Sequence, residues 1–203
     1  MLTPLTFVGD DRALLQALRA GHPGAAAVFY DQHAAHVSRT LRSALGADEE
    51  IPDLLQEVFI RAIDGMGKLR EVDRIGGWLT GIAIFVARAQ IRRRARRSWL
   101  RTFSPERAEP RHQEQPSSEA RAALREVYAV LNQLPIDERM AFALRHIEGM
   151  TLPDAAEACE TSLATLKRRL ARADKRFLEE ASMRPVLEHW LEEGTRWNVQ
   201  KRS

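Results

Sequence analysis

The sequence predicts an all-α fold of two helical units joined by a flexible linker, and three observations carry that prediction. Alanine and leucine together number 52 against 19 valines and isoleucines, a balance that favours helix over strand. Apolar residues recur at spacings of three and four rather than in alternation. The stretch 98–118, SWLRTFSPERAEPRHQEQPSS, holds three prolines and four serines with no helical period, which marks a linker. The expected organisation is a first unit over 1–97, a linker over 98–118, a second unit over 119–181 and a C-terminal extension over 182–203.

In the first unit a helix is expected to begin after Asp10 and Asp11, and another to run from about 24 to 45 with Ala26, Phe29, Tyr30, Val37, Leu41 and Ala44 on one side. His33 falls within that apolar face. His33 and His36 lack a further His or Cys at ligand spacing, so they read as helical histidines and no metal site is expected. The best-patterned helix follows. Ile51, Leu54, Leu55, Val58, Phe59, Ala62 and Ile63 form one stripe, while Asp53, Gln56, Glu57 and Arg61 fall away from it and are placed to meet a partner. Between residues 46 and 57 there are five acids and no base, a surface that repels nucleic acid. Favourable acid placement at a helix N-terminus accounts for Asp48 and Glu49, less well for Asp53 and Glu57.

After a loop rich in Gly and charge, DGMGKLREVDRIGG, a helix is expected from about 78 to 97. Its first part, Trp78, Leu79, Ile82 to Ala87, leaves almost no polar face, so it is either deeply buried or presents apolar side chains to something. Its second part spreads Arg92, Arg93, Arg94, Arg96 and Arg97 around the helix, which implies solvent or phosphate rather than a core.

The second unit is expected to open with helices near 119–133 and 136–148. Then comes TLPDAAEACETSLATLKRRLARADKRF. Thr151 and Asp154 have capping spacing, Pro153 fits a first turn, and Ser162 can cap the next helix after a brief turn. Short helix, tight turn and longer basic helix make a helix-turn-helix pattern. At about 100° per residue, Leu163, Leu166, Leu170, Ala173 and Phe177 gather on one face and Ala164, Thr165, Arg168, Arg172 and Lys175 on the other. A small, polar, cationic face of this kind suits a DNA major groove.

Charge points the same way. The formal net charge is only +3, yet 88–101 carries +7 and 163–177 carries +5, leaving 3 − 12 = −9 for the remainder. Two cationic stretches on an acidic body fit a polyanion binder with two contact zones, nucleic acid first among the candidates. Arginine outnumbers lysine 27 to 4, so codon bias is the bland explanation for part of this. No apolar run approaches the roughly 20 residues of a membrane span. With Cys159 as the single cysteine and no visible secretory signal, a cytoplasmic protein without membrane insertion is expected, and Cys159 reads as a small buried residue. The six histidines are scattered and no Gly-rich phosphate loop occurs, so neither catalytic residues nor a cofactor is expected.

The arrangement over roughly 10–180 resembles the extracytoplasmic-function sigma factors of bacterial RNA polymerase. DLLQEVFIRAI at 53–63 is similar to the family's region 2.2, GWLTGIA at 77–83 to the entrance of regions 2.3 and 2.4, and LPIDERMAFALRHIEGMTLPDAAE with TLKRRLARADKRF, at 134–177, to region 4. The resemblance implies that Asp53, Gln56, Glu57 and Arg61 bind core RNA polymerase. It implies further that Lys68, Arg70, Arg74, Trp78, Arg88, Arg92 and Arg93 contact the downstream promoter element and a base drawn from the melted strand. Ser162, Thr165, Lys167, Arg168, Arg169 and Arg172 would read the upstream element. Partners implied are core RNA polymerase, promoter DNA and an anti-sigma factor as a candidate inhibitor. Many members carry Arg at the place of Gly81, Arg-Asn at Ile84-Phe85 and an acid at Ala89, and here those polar groups are missing; Glu160 stands at a common turn Gly. The competing reading is a helix-turn-helix regulator that never engages polymerase, discriminated by charge reversal at Asp53 and Glu57.

Overall fold

A computed structural model of the chain describes residues 11–22, 24–69, 74–102 and 119–187, and among them every regular element is helical. The first unit comprises α1 (Asp11–Arg19), α2 (Ala25–Leu45), α3 (Ile51–Gly65), a 3-10 turn (Met66–Lys68) and α4 (Ile75–Thr102). The second comprises α5 (Glu119–Leu131), α6 (Ile136–Phe142) continuing as a π-helical segment (Ala143–Ile147), α7 (Leu152–Ala158) and α8 (Leu163–Ala181). The all-α expectation holds. α4 starts earlier than its apolar run and extends into the 98–118 stretch, where the remaining residues, 103–118, lie outside the described ones.

Local chemistry sets most boundaries. Asp11 and Arg19 sit at the N- and C-terminal turns of α1, where they complement the helix dipole. α2 stops at Gly46, whose φ of +86° suits glycine and whose N–H donates to Arg42 O at 2.7 Å. α3 starts at Ile51 with Pro52 in its first turn, after Asp48 Oδ1 accepts the Glu50 N–H at 2.9 Å. In the second unit Thr151 caps α7 by accepting the Asp154 N–H, and Ser162 caps α8 by accepting the Thr165 N–H. Between them Glu160 takes φ +50°, a left-handed turn that glycine fills at less cost.

Phe29, Val37, Leu41, Leu54, Val58 and Leu79 form the centre of the main core, with Phe29 packed edge-on against Phe59 at 5.5 Å. Each such fully buried side chain is worth about 1.5–3 kcal/mol relative to exposure. Within α3, Ile63 departs from the expected stripe and is 39% exposed. Leu163, assigned to the packed side of α8, is 40% exposed at the first position of that helix. A second cluster holds α5 and α8 on α6: Phe142 stacks on Phe177 at 4.6 Å amid Val130, Leu131, Ala173 and Ala181.

α4 is the axis of the molecule. It packs on α2 and α3 along one side and on α7, with a smaller contact to α6, along the other. Leu79, Ala83, Ile84, Val86 and Ala87 are buried together with Met140, Leu144, Ala155, Ala158 and Leu166 of the second unit, in one continuous core. Both branches of the alternative left open by the apolar stretch are met: Leu79, Ala83, Ile84, Val86 and Ala87 are buried, whereas Phe85 is 53% exposed and Trp78 and Ile82 are only partly covered. Past α8, Leu187 is buried and Met183 exposed; residues 188–203, the rest of the C-terminal extension, lie outside the described residues.

Candidate functional site

Three surfaces carry the residues singled out from the sequence. The first is the outer side of α3. Asp53 and Gln56 are exposed and Glu57 is half-buried, its Oε1 accepting from Arg61 Nη2 at 2.8 Å across one helical turn. The Arg61 guanidinium also stands over the Phe85 ring, 5.1 Å from its centroid. Among these polar residues lies Ile60, 61% exposed, which sequence reasoning passed over. Its signal was available: Ile60 is three and four residues beyond Glu57 and Gln56, on the polar side of the helix. It leaves a large aliphatic side chain uncovered among Asp53, Gln56, Glu57 and Arg61 on the outer side of α3.

The second surface runs from the end of α3 along α4. Lys68 belongs to the 3-10 turn and Arg70 lies outside the described residues. Arg74 Nη2 donates to Glu157 Oε2 at 2.7 Å. Trp78 is half-buried and lines a cleft of about 540 Å³ together with Arg61, Leu69, Ile82 and Phe85, closed on its far side by Glu157 and Ala158 of α7. Arg88 is only 15% exposed and lies 3.3 Å from Asp137 Oδ1. Further along, Arg94 Nη2 meets Asp48 at 2.6 Å and Glu50 at 2.7 Å, with Arg93 and Arg97 within 4 Å of Glu50. The acids near the start of α3 therefore neutralise three arginines of α4, while Arg92 and Arg96 remain exposed.

The third surface is α8. Ser162, Lys167 and Arg168 are exposed, and Arg168 Nη2 donates to Thr165 Oγ1 at 3.2 Å. Arg169 Nη2 pairs with Asp137 Oδ2 at 2.7 Å. Arg172 Nε donates to Glu138 Oε1 at 2.9 Å while Arg176 approaches Oε2 at 3.3 Å, so the nearly buried Glu138 carboxylate is bracketed by two arginines. These pairs fix α8 on α6. The Arg172 side chain is 58% exposed, leaving N–H groups for an outside acceptor, whereas Arg169 is largely taken up within the protein.

Other titratable groups have structural partners. His36 Nε2 lies 3.0 Å from Thr80 Oγ1 and 3.1 Å from Gly76 O, and His33 packs edge-on against Phe29, where burial holds its pKa below the usual histidine value. Cys159 is buried at the end of α7, and burial pushes its thiol pKa up, away from the reactive thiolate. Among the described residues no group of three metal-ligating side chains occurs.

Family comparison matches 29–97 to Sigma-70 region 2 and 124–177 to Sigma-70 region 4. The chain is 34% identical to the ECF RNA polymerase sigma factor SigC of Mycobacterium tuberculosis, over 64% of this chain and 69% of that protein. It is 30% identical to the RNA polymerase sigma-H factor of Pseudomonas aeruginosa, over 68% of this chain and 76% of the relative. Among solved structures, the sigma factor RpoE in its co-crystal with the anti-sigma factor NepR from Bartonella quintana shares the fold. That match has a TM-score of 0.53, with 24% identity over 83% of this chain and 92% of the other. Region 2 with its acidic outer helix, region 4 with its capped helix-turn-helix, and these relatives agree: the chain belongs to the ECF RNA polymerase sigma factors.

Proposed function

We propose that this sigma subunit docks on core RNA polymerase through the outer side of α3, brings α8 to the upstream promoter element and α4 to the downstream one, and assists melting there. The observation that carries the reading is the separation of charge by element. α3 exposes Asp53 and Gln56 around Ile60, a surface that repels phosphate and suits a protein, while α8 exposes Lys167, Arg168 and Arg172 beside Thr165, a surface that attracts it. Trp78 and Phe85 border a cleft with apolar walls where an unstacked base could be received, offsetting an extraction cost of a few kcal/mol. The 1–97 and 119–181 units would be the two working domains, with 98–118 as the tether. The role needs no catalytic residue and no cofactor of its own, and a cytoplasmic location follows from the polymerase it serves; no described helix is long and apolar enough to cross a membrane. An anti-sigma factor, the partner named for RpoE, is the class of inhibitor we expect. The polymerase-independent regulator is not favoured, because the region 2 match spans α3 and α4, which such a regulator would not use.

The upstream face is tested by binding to a duplex carrying the upstream element. Arg168→Ala with Arg172→Ala is expected to weaken binding about 10- to 100-fold and to reduce the slope of log K against log salt by up to about 2. Wild-type affinity and slope in the double variant would refute α8 as the reading helix.

A further inference from the structure

The C-terminal half of α4 carries arginines on two sides, and acids occupy one of them. Arg93, Arg94 and Arg97 lie on the side that meets the start of α3, where Arg94 Nη2 reaches Asp48 at 2.6 Å and Glu50 Oε2 at 2.7 Å. Arg93 and Arg97 stand 3.8 and 3.9 Å from Glu50 Oε1. At about 100° per residue, Phe85, Arg92, Arg96 and Trp99 fall within roughly 60° of one another, on a separate stripe about 21 Å long. All four are exposed, Phe85 at 53% and Trp99 at 64%. Helix-start chemistry explains only one of the two acids. Asp48 Oδ1 accepts the Glu50 N–H at 2.9 Å and so helps to begin α3. Glu50 stands at the N-cap, yet its side chain makes no capping bond. Its carboxylate is turned to α4 instead, where the buried Gln90 donates to it beside the three arginines.

We propose that Asp48 and Glu50 are specificity-determining residues: they occupy Arg93, Arg94 and Arg97 as phosphates would, withhold them from non-promoter duplex, and confine nucleic-acid contact on this half of α4 to the stripe of Phe85, Arg92, Arg96 and Trp99. Partly exposed ion pairs contribute little to folding stability, so stability is a weak reason for setting two carboxylates against three arginines. Selectivity is a stronger one. Each arginine left open neutralises a phosphate of any duplex, and that sequence-independent term is what recognition of a promoter has to exceed. The stripe that stays open has a different character, since two arginines between two exposed rings suit a single strand, whose phosphates meet the guanidinium groups while its bases stack on the rings. The proposal rests on the assignment of α4 to DNA made above and adds to it a selection against DNA that carries no promoter.

The test titrates the full chain with a short duplex that lacks promoter elements, over a range of salt. Asp48→Asn with Glu50→Gln is expected to bind this duplex about 10-fold more tightly and to steepen the fall of log K with log salt by up to about 2.7, the slope of three added phosphate contacts. In the holoenzyme the preference for promoter over non-promoter duplex should drop at least about 5-fold. A folded double variant with wild-type duplex affinity and slope would overturn the proposal, and so would a lower Tm with no change in DNA binding, which is the mark of a packing role alone. Should circular dichroism show the double variant to have lost its helices, Glu50→Gln by itself decides. It keeps the Asp48 acceptor at the start of α3 and frees Arg93 and Arg97, so a slope steeper by up to about 1.8 is expected and an unchanged slope overturns the proposal. Failure of the underlying assignment has its own signature: Arg92→Ala with Arg96→Ala would then leave promoter binding by the holoenzyme at the wild-type level.

Discussion

Asp53→Lys combined with Glu57→Lys is expected to weaken binding to core RNA polymerase by about 100-fold or more, equivalent to about 2.7 kcal/mol, and to leave the fold intact. Both residues lie on the outer side of α3, away from Leu54, Leu55 and Val58 that bind the helix to the core. Asp53 is exposed, and the pair that Glu57 makes with Arg61 spans one helical turn, worth about 0.3–0.5 kcal/mol. Folding therefore loses little. Docking loses much, because like charges brought together across an interface cost several kcal/mol and slow the encounter as well. Ile60→Ala should add a smaller loss of apolar contact, since its side chain is exposed in the isolated subunit and buried only if the partner covers it. Pull-down and titration against core polymerase measure both, with circular dichroism to verify the helices; undiminished affinity in the double reversal would remove α3 from the interface.

Phe142→Ala is expected to destabilise the protein by about 3–5 kcal/mol, lowering Tm by about 6–20 °C, and to abolish upstream DNA binding at growth temperature. Phe142 is 2% exposed, stacks on Phe177 of α8 at 4.6 Å and lies against His146 at the same distance. Truncation opens a cavity beneath the helix that carries Lys167 and Arg168, and Ala173 and Ala181 are too small to fill it. Phe142→Leu keeps most of the volume and should cost less than about 1.5 kcal/mol. Thermal unfolding and duplex binding of the two variants check this, and equal stability of Phe142→Ala and the wild type would contradict the packing described.

What was legible in the sequence was what local chemistry determines. Thr151, Ser162 and the stripe Ile51, Leu54, Leu55, Val58 announced α7, α8 and α3 because caps and periodicity act within one or two turns. What escaped depends on residues far apart in the chain. The arginines at 93, 94 and 97 looked destined for solvent or phosphate because nothing local showed that Asp48 and Glu50 would lie beside them. Arg88 and Arg169 looked like members of two separate DNA faces, and only the fold brings both to Asp137. The apolar character of α4 was visible, but its cause is a second unit packed on its far side. Ile60 was missed for a different reason: attention to the buried stripe left the composition of the opposite side unread.

The central claim, that α3 engages polymerase while α4 and α8 select the promoter, is tested most directly by transcription in vitro. Purified core polymerase from the source organism is combined with the chain on fragmented genomic DNA and the start sites are mapped. The account predicts starts that require the chain, share an upstream and a downstream element at fixed spacing, and disappear with Asp53→Lys/Glu57→Lys or with Arg168→Ala/Arg172→Ala. Absence of any start dependent on the chain, or starts unaffected by both double variants, would contradict it.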